Sequence, residues 1–375
     1  MGTLSDWEKV TSERLGGGGQ STVYLARKPE RKAARGRSFD TLRALSAQGL
    51  NNQTALEFAH ASLNVAREDH PSELGALKVF NPRAAGIAAE QQALGRLRNE
   101  IAVLSQNRPG LLKLLDHNES ENWIVTEYRH RGTLEQHLPK YKGNVKLVIK
   151  SFLSLVRTVT ELHQEGIVHR DIKPQNIFMG DDDELILGDF GIVFLPNQPE
   201  RLSVTGESVG PHDFMPPWVF LDEKPEIKRN FDVYMMGKVL WCMVTGRMKL
   251  PREEFRDPRF DVTVLYPHDP DMYIINRILE KCVVAREQDC LFSALDLLPR
   301  ILAYAEMLKR GGELVKEDIP KPCRVCGYGY YQKLNAGVAL HLTKFVNMVD
   351  QHVGSLRTEL LACDECGHVQ FFKIG

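Results

Sequence analysis

The chain has 375 residues, 43% of them hydrophobic and 26% charged, an ordinary globular composition that excludes a disordered, collagen-like or low-complexity polymer. Lys plus Arg number 48 and Asp plus Glu 49, so a formal charge of −1 gives no global field to draw nucleic acid or an anionic membrane. No apolar run reaches the roughly 18 residues a membrane span needs, the start MGTLSDWEKV has no apolar signal core, and Asp6 stands where N-myristoylation wants Ser or Thr. The expectation is a cytoplasmic chain of two or three folded units.

In chain order, residues 8–27 alternate apolar and small residues around a glycine cluster, as two strands joined by a turn would. Six cations follow between Arg27 and Arg37, and 38–70 has helical spacing broken at Gly49–Asn52. LGALKVFN reads as a strand. Leu94, Leu97, Ile101 and Leu104 mark one face of a helix that stops before Pro109-Gly110. WIVTEY (123–128) is β-prone, and from 145 the chain turns mostly helical, with short loops over 166–200. A strand-rich part followed by a helix-rich part suggests two lobes. Gly311-Gly312, Pro320 and Pro322 mark a linker ahead of two Cys-x-x-Cys pairs.

Four local patterns stand in a fixed order. LGGGGQSTVYLA (15–26) has glycines that let backbone N–H groups approach an anion. ALKVF (76–80) sets a lysine inside an apolar strand, costly without a partner. HRDIKPQN (169–176) packs two acceptors and two cations into one loop. DFG (189–191) puts a carboxylate at a strand's end, which suits a metal-phosphate site.

Together these motifs resemble the eukaryotic-type protein kinase family over roughly residues 8–305, with an α+β, bilobal fold: a β-rich N-lobe to about 128 and a helical C-lobe, residues 1–310 in all. The resemblance implies roles. Leu15, Gly16, Gly18, Ser21 and Val23 would cover the nucleotide, Ser21 standing where the third loop glycine would be. Lys78 would hold the α- and β-phosphates, braced by a helix glutamate, Glu100 in preference to Glu90. Thr126 takes the gatekeeper position, and Glu127 to Arg129 the adenine-reading hinge. Asp171 would orient the substrate hydroxyl and accept its proton, Lys173 would steady the transferring phosphoryl group, and Asn176 and Asp189 would hold Mg²⁺ (or Mn²⁺). Lys173, two residues after Asp171, resembles the Ser/Thr class. The implied cofactors are ATP and Mg²⁺, the implied partner is a protein substrate, and autophosphorylation is expected. Asp232 matches a long-helix aspartate that braces the catalytic loop.

The chain also departs from the family. The segment GPHDFMPPW (210–218) has Pro211, Phe214 and Trp218 where the family shows Thr, Tyr and Glu. That Glu usually pairs with an arginine whose place here falls at Cys290-Leu291, so an apolar replacement with Trp218 near Cys290 is expected. These changes bear on peptide preference and leave room for an alternative, a catalytically weak nucleotide-binding scaffold. Ser203, Thr205 and Ser208 are hydroxyls that a phosphate could occupy, to pair with Arg170. The basic segment of about 28–72 is an insertion that could bind a protein partner.

After a linker (311–322), CRVCGYGYY and CDECGHVQFF each carry Cys-x-x-Cys-Gly. Two such turns complete a four-thiolate site, so Cys323, Cys326, Cys363 and Cys366 are expected to bind a structural Zn²⁺ in a domain over 323–375 that resembles a zinc ribbon. The 36 residues between Cys326 and Cys363 are expected to include a helix over 336–353. Five cations against four acids in 323–375 argue against nucleic acid and for protein docking or a bracing of the kinase-like part.

Overall fold

The computed structural model describes residues 6–18, 21–28, 74–80, 87–195, 213–220, 228–269 and 271–309, and the backbone of the strands within 321–373. The 28–72 insertion beyond Lys28 to Glu73 and the hydroxyls of 203–208 lie outside the described residues.

Five strands open the chain: β1 (Glu8–Gly18), β2 (Ser21–Arg27), β3 (Leu74–Phe80), β4 (Leu114–Asn118) and β5 (Trp123–Glu127). They form one antiparallel sheet in the order β1-β2-β3-β5-β4. Its two-residue alternation decides what faces where. Leu77 joins Trp7, Ala26, Trp123 and Val125 in a cluster on one face, while Phe80 on the other meets Leu97, Ile101 and Ile124. That second cluster seats helix α1 (Ile87–Leu104), whose Leu97, Ile101 and Leu104 are buried as their spacing predicts. Lys78 shares the α1-facing side, level with Val23 on β2 and Ile124 on β5.

The second lobe is helical: α2 (Leu134–Tyr141), α3 (Val145–Gln164), α4 (Asn230–Thr245), α5 (Val262–Leu265), α6 (Met272–Cys282) and α7 (Ala294–Lys309). A small hairpin, β6 (Ile177–Met179) with β7 (Leu185–Leu187), interrupts it. Helix begins at Leu134, earlier than the expected 145. The signal was in the sequence: Leu134, Leu138 and Tyr141 bury one face, and the Gln136 side chain accepts the Thr133 N–H at 3.1 Å to cap the first turn. Helix α4 is buried along its whole length and forms the axis on which the lobe packs. Gly237 within it lets α6 approach, since a Cβ there would lie 2.7 Å from both Cys282 Cβ and Val283 Cγ2.

The last segment is an antiparallel sheet of β8 (Lys321–Pro322), β9 (Tyr330–Lys333), β10 (Val338–Val346), β11 (Val349–Cys363) and β12 (Val369–Lys373). The helix expected over 336–353 is not formed: β10 and β11 make a long hairpin instead, from Val338↔Thr358 to Val346↔Val349. The reason is a competing period. Val338, Leu340 and Leu342 alternate with Ala339, His341 and Thr343, and β-branched residues recur through Val346, Val349 and Val353, a pleated pattern that outweighs the helical one.

Candidate active site

The site lies between the five-stranded sheet and the helical lobe, and Lys78 is its organising cation. Its Nζ donates to Glu100 Oε2 of α1 at 2.7 Å and to Asp189 Oδ1, just beyond β7, at 2.8 Å. Glu90, the other candidate on α1, has no such contact assigned to it; Glu100 is the partner. Burial alone would lower the Lys78 ammonium, but Asp189 and Glu100 together raise it. Burial lifts the Glu100 carboxyl to about 7 against the pull of Lys78. For Asp189 burial acts upward too, yet the charge and hydrogen bond of Lys78 prevail and hold it at about 2. Asp189 thus stays anionic with its side chain 44% exposed, and it takes a left-handed φ of 61°. A non-glycine residue in that region costs of order 1 kcal/mol or more and persists where the surroundings fix it.

The loop after α3 supplies the second group of residues. Lys173 Nζ donates to both carboxylate oxygens of Asp171, at 2.9 and 2.7 Å. Asn176 Nδ2 donates to the Asp171 carbonyl at 2.9 Å and to its Oδ2 at 2.8 Å. Burial raises the Asp171 carboxyl, opposed by Lys173. Asp171, Lys173 and Asp189 are therefore in electrostatic reach of one another, with Asn176 bonded to Asp171.

Backbone contacts hold this loop in place. Asp232 of α4, fully buried, accepts from the backbone N–H of His169 at 2.7 Å and of Arg170 at 2.8 Å, and from His163 Nε2 at 3.0 Å. Three donors offset the burial of its charge and keep its carboxyl below the usual range despite desolvation. His163 Nδ1 in turn accepts the N–H of Ala294, the first residue of α7, at 3.0 Å. His169 donates from Nε2 to Gly188 O at 3.1 Å and meets the Phe190 ring edge-on at 4.6 Å.

The nucleotide-covering residues predicted from β1 and β2 flank this site. Leu15 and Val23 are half-buried, and nothing in the protein lies within 4 Å of where a Cβ on Gly16 would sit, so Gly16 leaves open space. Gly18 pairs with Ser21 across the turn. On β5, Thr126 is buried beside Ala76. Glu127 is spent locally: its Oε1 accepts from Lys113 N at 3.0 Å and from Arg129 at 2.6 Å.

Sequence reasoning passed over Arg96. It lies one turn before Glu100 on α1, its Cβ 3.5 Å from the point where a Cβ on Gly191 would sit, and its Nε is buried without a hydrogen-bond partner. Arg170, 4% exposed and at φ 72°, is pulled down to about 10 by burial, with Asp232 opposing and Arg96 adding like-charge repulsion. The available signal was the (i, i+4) relation of Arg96 to Glu100.

Trp218 is buried, and the neighbour it meets is Tyr234 of α4, edge-on at 5.5 Å. Cys290 gives its thiol to the carbonyls of Cys282 at 3.4 Å and Asn230 at 3.8 Å, and it lies in electrostatic reach of the same Tyr234. Nearby, Glu287 accepts from Lys228 at 2.8 Å and Asn230 at 3.2 Å.

The protein kinase domain model matches residues 59–306. The chain belongs to the protein kinase family. A calcium/calmodulin-dependent protein kinase of Emericella nidulans is 30% identical over 185 residues, 45% of this chain and 44% of that protein. The Ser/Thr-protein kinase ssp1 of Schizosaccharomyces pombe is 25% identical over 251 residues, 61% of this chain and 38% of its own length. A CBL-interacting Ser/Thr-protein kinase of Arabidopsis thaliana is 25% identical over 220 residues, 55% and 44% of the two chains. The chain spans less than half the length of these curated relatives.

No helix among the described residues is long and apolar enough to cross a membrane. Among the described residues no three His, Cys, Asp or Glu side chains group as a metal site. Cys323, Cys326 and Cys366 lie outside the described residues, and Cys363 is described for its backbone alone.

Proposed function

We propose that the protein is a serine/threonine kinase that transfers the γ-phosphoryl group of ATP to protein hydroxyls, its own included. The observation that carries this reading is the pair of contacts from Lys78, at 2.7 Å to Glu100 and 2.8 Å to Asp189, which ties the sheet, α1 and the DFG segment together. The donor set fits a divalent cation bound to phosphate: Asp189 is ionised and half open to the cleft, and Asn176 is held beside Asp171. Asn176 and Asp189 would hold Mg²⁺, whose chemistry is to neutralise charge on the phosphates.

The chain's own residues do the rest. Lys78 binds phosphate oxygens while Glu100 fixes its position. Asp171 takes the proton of the substrate hydroxyl at a carboxylate oxygen, and Lys173 offers that carboxylate and the transferring group a positive charge. Asp232 keeps the loop backbone from yielding as charge moves. Buried Arg170 and half-buried Arg96 are in electrostatic reach of each other, and a phosphate on Ser203, Thr205 or Ser208 brought to them would relieve their repulsion. Transfer from labelled ATP to the protein and to casein tests the assignment. Wild type should label both, Asp171→Asn and Lys78→Met neither, and equal signal from all three would remove it.

We also infer that Cys323, Cys326, Cys363 and Cys366 bind one structural Zn²⁺ and that the 323–375 domain docks a protein partner. Support comes from strand register. Residues 323–329 join β8 to β9, residues 364–368 join β11 to β12, and β9 meets β11 at Tyr331↔Cys363, so the two Cys-x-x-Cys connections leave the same end of the sheet. The 28–72 insertion is a second candidate for partner contact, on its basic charge.

A further inference from the structure

Lys238 is a lysine in the middle of the most buried helix of the protein, and the reaction does not use it. It is 2% exposed. An ammonium so placed must be saturated with acceptors or the fold loses several kcal/mol. Its acceptors are main-chain carbonyls of one loop: Nζ donates to Leu250 O at 2.7 Å and to Arg252 O. The third side of the ammonium faces the Tyr234 ring, 5.5 Å from its centroid.

The neighbours show a design. Tyr234, Lys238 and Cys242 stand at i, i+4 and i+8, one row along α4. Residues 248–253 run along that row and turn alternate carbonyls to it. Cys242 donates to Met248 O at 3.6 Å, Lys238 takes the next two carbonyls, and Tyr234 OH donates to Glu253 Oε1 at 2.9 Å. Arg252, a non-glycine, is held at φ 36°, a conformation that survives only where its surroundings dictate it. The loop is thus stitched down by three side chains of one helix face.

The same face carries the 213–220 segment. Trp218 packs on the ring of Tyr234, and Asp213 pairs with Lys249 of the loop at 3.6 Å. Asp213, Glu253 and Cys242 are the charged and titratable groups in electrostatic reach of the Lys238 ammonium. Phe214, Met215 and Leu250 share the core beneath. Segment and loop therefore rest on a common support, with Lys238 at its centre.

We propose that Lys238 is a positioning residue for the protein substrate, fixing the 248–253 loop and, through it and Tyr234, the 213–220 segment that receives the peptide. This rests on the kinase reading and deepens it, since that segment takes the place of the family's peptide-positioning motif. The residue touches neither nucleotide nor peptide. Its removal leaves two carbonyls without donors and frees the loop, and the effect falls on substrate affinity.

The test uses the full chain with Lys238→Met and Tyr234→Phe, the latter removing one hydroxyl only. Casein and ATP kinetics are measured beside amide hydrogen exchange of 213–220 and 247–256. Lys238→Met should raise KM for casein about tenfold while KM for ATP stays within about twofold, with faster exchange in both segments. Tyr234→Phe should move the same quantities in the same direction by less, and it decides the matter where Lys238→Met does not fold. Unchanged casein KM, equal losses toward both substrates, or unchanged exchange over 213–220 would overturn the proposal. Absence of any transfer by wild type would instead refute the kinase reading, and exchange over 213–220 would then judge Lys238 by itself.

Discussion

Replacing Lys78 by methionine removes the one cation that two carboxylates share. Glu100 is 4% exposed and Asp189 44%, so the first is left in a nearly dry site and the second in a half-wet one. Breaking a buried pair by deleting one partner costs about 3–5 kcal/mol, and the exposure of Asp189 moves the expectation to the low end, about 3 kcal/mol at pH 7.5. The pH dependence has a definite sign. In wild type, Asp189 is depressed from 3.8 to about 2, so its stabilising contribution is present above pH 4 and lost as pH falls through 2. Glu100 is raised from 4.5 to about 7, so its contribution is full below 4.5 and lost as pH rises through 7. Without Lys78 both carboxyls move up, and protonation relieves their repulsion. The stability gap between variant and wild type should therefore shrink between pH 7.5 and pH 5. Guanidinium melts at the two pH values measure it, and ATP transfer should be lost in parallel. A gap under about 0.5 kcal/mol, or one of equal size at both pH values, would refute the electrostatic account.

Other outcomes follow from single contacts. Asp171→Asn should lower phosphoryl transfer by about 10²-fold or more while nucleotide binding, read by equilibrium dialysis, is retained. Gly237→Ala puts a methyl 2.7 Å from Cys282 Cβ and Val283 Cγ2 and should destabilise the chain by about 1–3 kcal/mol in urea melts, a cost that Val283→Ala, which removes Cγ2, should partly relieve. Cys363→Ser should abolish stoichiometric zinc by metal analysis and lower the melting temperature; full zinc and an unchanged melt would contradict a structural site.

What the sequence revealed depended on how local the cause was. The Lys78–Glu100 contact was readable in two steps: a lysine in an apolar strand calls for a carboxylate, Glu90 and Glu100 both lie near the apolar stripe of α1, and the resemblance of the run after Glu100 to the family selects it. The row Tyr234–Lys238–Cys242 was not: the all-round apolar run of α4 says that the helix is covered, but not that loop carbonyls twelve and fourteen residues on receive Lys238. Arg96 was passed over for the same reason, its meaning lying in Arg170, 74 positions away. The 336–353 segment was misread because its apolar residues fit a helix and a strand almost equally, and only pairing with β11 decides between them. Trp218 and Cys290, expected near each other, are both neighbours of Tyr234, a residue of α4 that no motif in 210–218 announces.

The fastening of residues 287–290 to the start of α4 has a consequence for any hybrid built from this protein and its relatives. Here the lysine comes first, Lys228, and the carboxylate second, Glu287, while the spot given over to Trp218 is an indole pressed on a phenol. A glutamate grafted at 218 alone would meet that ring, and an arginine grafted at 290 alone would compete with Lys228 for Glu287. Such segments are interchangeable only as matched sets, so this corner of the lobe must be inherited, or transplanted, whole.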